Sequence, residues 1–191
     1  MIKATYNDKQ LAVDILADAF KENKSVNYIV KQDAKKDKRI RDLMAYSYDV
    51  CYFSGDIFFN DDKTAVALVS YPDKQKMTLK RIFLDLGLVF KTIGLTRAMK
   101  ALNRESSIKK NSPTKEIYYL WFIGVSQENQ GKRKGTQLLK ELIEHSETLN
   151  RKVYLETSTL RNLQWYKKFG FRVFKELDLG YTLYMFTRDI P

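Results

Sequence analysis

The architecture of this chain turns on Ile117-Tyr118-Tyr119-Leu120-Trp121-Phe122-Ile123-Gly124-Val125-Ser126-Gln127-Glu128-Asn129-Gln130-Gly131-Lys132-Arg133-Lys134-Gly135-Thr136. Residues 117–125 are almost wholly apolar, as a central strand covered on both faces must be. From 136 to 149, Leu138, Leu139, Leu142, Ile143 and Leu149 recur at helical spacing. A strand, a glycine-containing loop and a helix start together make an anion-binding layout. The first amides of a helix have no partner inside it, and the helix dipole favours negative charge there. Gly131 and Gly135 allow a positive φ or a close backbone approach, and Lys132, Arg133 and Lys134 add positive charge. The same residues also suit a plain basic surface turn. The loop is not a nucleotide-binding Walker sequence or a dinucleotide fingerprint: it lacks Gly-Lys-Ser/Thr and its glycine spacing differs.

A second constellation lies downstream, Asn162-Leu163-Gln164-Trp165-Tyr166-Lys167-Lys168-Phe169-Gly170-Phe171. Residues 160–169 read as a short helix stopped by Gly170. Asn162 and Tyr166 are four apart and share a face. An amide and a phenol side by side can bind and protonate a polar group. Alone, they also fit a helix start and a packed aromatic ring.

Farther out, residues 8–20 predict a helix with Leu11, Ile15 and Ala19 on one side and Asp8 as N-cap. A second helix is expected over 35–53, with Ile40, Leu43 and Met44 inward, stopped at Ser54-Gly55-Asp56. Residues 57–59 and 65–71 flank Asn60-Asp61-Asp62-Lys63 as a hairpin. The segment 77–105 predicts one or two amphipathic helices, with Gly87 and Gly94 as candidate breaks, and 103–113 a polar connection. A strand beginning at Val153, then strands over 171–178 and 181–187 joined at Leu179-Gly180, complete the order. This order predicts a mixed α/β (α+β) sheet.

The chain has 191 residues, enough for one domain, and its 44% apolar and 13% aromatic content supports a sizeable core. Its first residues lack the basic-then-apolar layout of a signal peptide. Met77–Leu102 comes nearest to a membrane span, but Lys80, Arg81, Asp85, Lys91 and Arg97 interrupt it. Cys51 is the sole cysteine, so no internal disulfide forms, and a reducing cytoplasm is the expected home. Cys51 is expected in the core. His145 is the sole histidine, expected on the surface, which leaves no His-rich metal site. The net charge of +11 is concentrated: residues 74–115 hold eleven Lys/Arg against two Asp/Glu, whereas residues 1–73 hold eleven against twelve. Such a segment suits nucleic acid, an anionic membrane, an acidic substrate, a polyphosphate cofactor, or simply a solvated helix face.

In order and spacing, Gln130-Gly131-Lys132-Arg133-Lys134-Gly135 and Tyr166-Lys167-Lys168-Phe169-Gly170-Phe171 resemble the paired motifs of the GNAT N-acetyltransferase superfamily. The resemblance covers residues 117–187; residues 1–116 match in element order. It implies a twisted, mostly antiparallel sheet splayed at the central strand and flanked by helices, with 77–112 a helical insertion and connection. It also implies acetyl-CoA as cofactor and an amine acceptor, small molecule or protein, as partner. Ile123 and Val125 would hold the pantetheine arm, Gln130, Gly131, Lys132, Arg133, Lys134, Gly135 and Thr136 the pyrophosphate, and Asn162 the cofactor arm. Tyr166 would protonate the leaving thiolate. Arg133 departs from the pattern, since glycine is usual there. An amine must lose a proton before it attacks a thioester, so a base is required. Glu156, in Tyr154-Leu155-Glu156-Thr157-Ser158, is the candidate; a solvated or salt-bridged Glu is the plainer reading. The insertion, Trp121, Phe122 and Trp165 are candidate walls of an acceptor pocket, although Phe122 also fits plain core packing. A homodimer is compatible with the family. Two other readings stay open: a CoA-binding protein without catalysis, and a basic nucleic-acid-binding module, although no RNA- or DNA-reading motif appears.

Overall fold

The computed structural model describes residues 1–112, Thr114 and 116–190, apart from the side chains of Leu95 and Thr96. The strands are β1 (Ile2–Lys3), β2 (Gly55–Phe59), β3 (Ala65–Ser70), β4 (Ile117–Val125), β5 (Lys152–Thr157), β6 (Arg172–Asp178) and β7 (Thr182–Arg188). The helices are α1 (Lys9–Phe20), α2 (Lys24–Ile29), α3 (Lys36–Ser54), α4 (Leu79–Leu88), α5 (Leu95–Asn111), α6 (Lys134–Thr148) and α7 (Leu160–Lys167). The strands form one seven-stranded sheet in the order β1-β2-β3-β4-β5-β7-β6. Every pair is antiparallel except β4–β5.

That exception organises the molecule. β4 and β5 pair only over Ile117–Tyr119 and Lys152–Tyr154. Beyond them β4 stays with β3 as far as Val125, and β5 stays with β7 as far as Thr157. The sheet is therefore splayed between β4 and β5. A bulge sits where the pairing stops: Leu68 faces Phe122 and Val69 faces Leu120, which leaves Trp121 as the extra residue. A bulge bends its own strand. It also breaks the alternation, so Trp121 and Phe122 both meet the core under α1 and α3.

Side-chain alternation sorts the sheet into two faces. On one, α1 and α3 bury Leu16, Leu43, Met44 and Tyr48 against Ile57, Phe59, Val66 and Leu68. On the other, α6 and α7 bury Leu138, Leu139, Leu142 and Tyr166 against Ala67, Val69, Leu120, Leu155 and Phe186. A smaller cluster joins Ile108 of α5 to Ile117, Tyr154, Leu183 and Met185. Burying a Leu or Phe side chain is worth about 1.5–3 kcal/mol, so these layers dominate the stability.

The helix-and-hairpin order is as expected, with five differences. The polar connection expected from Asn103 is helical to Asn111, and Pro113 lies outside the described residues. Ala101, Arg104 and Ile108 recur at helical spacing and are all buried, but an arginine hides that periodicity from hydropathy. Gly94 does break the insertion, at φ +77°, whereas Gly87 lies inside α4. Asp8 stands at the N-cap position of α1 as expected, but its side chain makes no capping bond there; its carboxylate accepts from the Thr5 amide and hydroxyl at 2.8 Å. β1 and α2 are too short to carry a periodic signal, and tertiary contacts create them. His145 is half-buried instead of exposed: its Nδ1 lies 3.1 Å from the Tyr118 hydroxyl, its ring packs on Phe58, and burial pushes its pKa below 6.5. Cys51 is fully buried, as expected.

Candidate active site

The splay opens a cleft of about 410 Å³ between β4, the loop before α6, and α7. Its chemistry begins with the backbone. Arg133 precedes α6 with φ +60° and ψ 7°, the left-handed conformation, and no side chain caps the helix. The first hydrogen bond of α6 runs from the Gln137 amide to the Arg133 carbonyl at 3.0 Å. The amides of Lys134, Gly135 and Thr136 therefore have no acceptor within the helix. They stand at the positive end of a 15-residue dipole, beside the cleft.

Glycines let this helix start come close. Gly131 adopts φ +79°. A Cβ on Gly135 would stand 3.1 Å from Val125 Cγ2, so the α6 start presses directly on the end of β4. Arg133 is a second loop position with a positive φ, a backbone that favours glycine. A non-glycine residue in this conformation costs about 1–2 kcal/mol. The Arg133 side chain is exposed and lines the cleft.

Of the residues expected to hold a cofactor, Ile123, Val125, Gln130, Gly131, Arg133, Lys134, Gly135, Thr136, Asn162 and Tyr166 all line this one cleft. Lys132 is not part of that lining; its Nζ donates to Oδ1 of Asn129, which is, at 3.3 Å. Lys134 lines the cleft but is ion-paired with Asp62 of the β2–β3 turn, so it is not a free cation. Trp165, a candidate for the acceptor side, lines this cleft as well, and its Nε1 donates to Thr136 Oγ1 at 3.2 Å, tying α7 to the α6 start. Phe122 is core.

Tyr166 is 5% exposed and packed among Trp165, Phe171 and Phe186. Among the described residues no group bonds its hydroxyl. Burial raises its pKa well above 10, so the phenol stays protonated at neutral pH and has a proton to donate. Sequence reasoning missed Asn23, Asn129, Thr159 and Arg161 in the same lining. Arg161 and Thr159 adjoin a quoted motif and were within reach. Asn23 was not: it comes from the α1–α2 corner, and its Nδ2 reaches Thr159 Oγ1 across 136 residues of chain at 3.5 Å.

Glu156 is not part of the cleft lining. It follows Leu155, which packs with Tyr166, and alternation sends it to the opposite face. There its carboxylate accepts from Tyr154 Oη at 2.7 Å and lies 3.5 Å from Arg104 Nη2. Arg104 is buried, and also donates to Ser25 Oγ at 2.7 Å and Tyr181 Oη at 3.3 Å. Desolvation raises the Glu156 pKa above its ordinary 4.5, opposed by Arg104 and Tyr154. Glu156 is thus the salt-bridged carboxylate of the plainer expectation. It lies in the part of β5 that no longer pairs with β4, at the back of the same splay.

The cleft fits an extended ligand with a phosphate-rich end. The donor set is a helix start plus Arg133; the glycines leave room beside it, and the unpaired edge of β4 continues from it. Residues 91–173 match the GNAT acetyltransferase domain family model. Solved structures share the fold along the whole chain. One, described as histone acetyltransferase HPA2 and related acetyltransferase from Corynebacterium glutamicum, aligns with a TM-score of 0.75 at 20% identity, over 100% of this chain and 95% of that one. The C-terminal condensation domain of Ebony, in complex with beta-alanyl-dopamine, aligns at 0.70 and 9% identity, over 99% and 97%. Arylalkylamine N-acetyltransferase 2 from Aedes aegypti aligns at 0.65 and 13% identity, over 100% and 98%. At these identities the likeness is one of fold. The chain has the fold of the GNAT acetyltransferases, and its residues 91–173 are similar to the GNAT acetyltransferase domain.

Proposed function

We propose that this protein is an acetyl-CoA-dependent N-acetyltransferase acting by direct attack in a ternary complex. The observation that carries the reading is the convergence of an uncapped helix start and a protonated, unpartnered Tyr166 in one cleft of a splayed sheet. The amides of Lys134, Gly135 and Thr136, with Gln130, Gly131 and Arg133, would hold the pyrophosphate. The open edge of β4 at Ile123 and Val125, with Asn162, would hold the arm. Acetyl-CoA supplies an acetyl group already activated as a thioester.

The chain's own residues then divide the proton work between the two faces. Glu156, on the side away from the cleft, receives the proton of the acceptor ammonium, directly or through water. Its raised pKa makes it a better base than an ordinary carboxylate. Tyr166 keeps its proton at Oη on the cleft side, where a thiolate must depart. Strand amides exposed by the splay can stabilise negative charge on the acyl oxygen.

The acceptor reading follows from the Glu156 side. Tyr119, Tyr154 and Trp121 lie on that face, and their rings with one carboxylate suit an ammonium group. Two structures of the same fold are an arylalkylamine N-acetyltransferase and a domain holding beta-alanyl-dopamine, which makes arylalkylamines the first acceptors to test. Isothermal titration with acetyl-CoA, then turnover across arylalkylamines, polyamines and lysine peptides, tests the reading. Saturable binding with amine-dependent CoA release is expected. Absence of binding at sub-millimolar acetyl-CoA overturns it.

A further inference from the structure

Within α4, Leu79, Ile82, Phe83 and Leu86 recur at helical spacing, and the stripe runs on to Phe90. Such a stripe ordinarily faces a core. Here it faces solvent: Leu79 is 77% exposed, Phe83 72% and Phe90 65%. The inward side of α4 is held by other groups. Leu88 packs against the α1–α3 core, Asp85 accepts from Tyr46 Oη at 2.7 Å, and Arg81 bridges to Asp85 at 2.8 Å. The orientation is therefore fixed by contacts, and the outward stripe is left over. Met77 before the helix is 76% exposed, and Met99 on α5 is 65% exposed.

Charge says what fits there. Lys76, Lys80 and Lys91 flank the stripe and are exposed, and none makes an ion pair among the described residues. Asp85, the only carboxylate on α4, is engaged by Arg81 and Tyr46. An apolar stripe edged by lysines is the pattern of a helix lying in a bilayer interface. A second copy docked about a two-fold axis would set these lysines against themselves. Nucleic acid accounts for the lysines but leaves exposed Phe and Leu with no use. No helix among the described residues is long and apolar enough to cross a membrane.

We propose that the α4–α5 insertion docks on an anionic lipid surface. Leu79, Phe83 and Phe90 enter the boundary between headgroups and acyl chains, and Lys76, Lys80 and Lys91 contact lipid phosphates. The bound protein would work on acceptors at or near that surface.

Co-sedimentation of the full chain with vesicles tests this. One set is phosphatidylcholine alone; the other contains about one-third phosphatidylglycerol. Binding to the second set only, weakened by salt, is expected. The pair Phe83→Glu with Phe90→Glu should lower partitioning by about tenfold or more, since two aromatic side chains lose their burial. A triple Lys→Glu variant at 76, 80 and 91 should also abolish binding. The altered side chains are exposed, so unchanged unfolding midpoints by circular dichroism confirm intact folds. The proposal is overturned by no binding to anionic vesicles, by equal binding to both sets, or by binding that the variants leave intact. A dimer in sedimentation equilibrium that the Phe variants dissolve, without vesicle binding, assigns the stripe to a second copy and also overturns it.

Discussion

The two sides of the splayed sheet are built in different ways. The cleft side is made of backbone: unpaired amides at the α6 start, two glycines, an open strand edge, and one phenol. Nearly all of it comes from residues 123–136 and 159–166. The opposite side is made of side chains from distant segments, Ser25, Arg104, Tyr154, Glu156 and Tyr181. Backbone sites tolerate sequence change as long as the local conformation survives. Side-chain networks do not, because each member leaves a buried partner unsatisfied when it is lost. The difference teaches that the binding of a cofactor and the handling of an acceptor should fail independently.

The sharpest break is at Tyr166. Tyr166→Phe should lower kcat by about 10²-fold or more, the range of a general acid, while the Kd for acetyl-CoA moves by less than about threefold. Steady-state kinetics beside calorimetry measure both; equal kcat in mutant and parent would remove the acid role.

Next is Arg104→Met. It leaves Glu156 buried without its cation and should cost about 3 kcal/mol in denaturant unfolding. Acetyl-CoA affinity of the folded fraction should stay near that of the parent. A matching loss of affinity would show that the two faces are not separate.

Glu156 is separable by pH. A base works in its ionised form, so kcat/KM should rise with pH through the Glu156 pKa, which lies above 4.5 because burial raises it. Glu156→Gln should lower kcat/KM and abolish that acid limb. The stability sign is opposite: a carboxyl with a raised folded pKa costs stability when ionised, and the parent regains it as pH falls through that pKa. An acid limb that persists in Glu156→Gln would assign the base elsewhere.

The smallest effect is at Arg133. Arg133→Gly relieves the left-handed backbone and should raise stability by about 1 kcal/mol. A simultaneous rise in the Kd for acetyl-CoA would show the guanidinium on phosphate; an unchanged Kd would leave binding to the amides alone.

The same contrast explains what could be read in advance. Gln130–Thr136 and Asn162–Tyr166 were legible because a glycine loop and an i,i+4 pair are local features whose geometry follows from chain stereochemistry. So were α1, α3, α6 and the β2–β3 hairpin, each carried by its own periodicity. Arg104 and Asn23 were not. Arg104 lies on a stretch that reads as a polar connection and Asn23 caps α2 locally, but what ties them to the two sides of the splay are Glu156 and Thr159, 52 and 136 residues away. His145 is half-buried and not exposed for the same reason: its Tyr118 and Phe58 neighbours lie far from it along the chain.

By itself, then, the sequence determined the strand–loop–helix layout with its uncapped helix start, the succession of elements and the resemblance to an acetyltransferase family, because those depend on near neighbours. Only the tertiary structure decided that β4 and β5 part after Tyr119 and Lys152–Tyr154 pairing ends, that Tyr166 and Glu156 fall on opposite sides of that gap, and that the apolar stripe of α4 faces outward. Each of these is a matter of which surface packs on which, and that is settled by contacts between residues far apart in the chain.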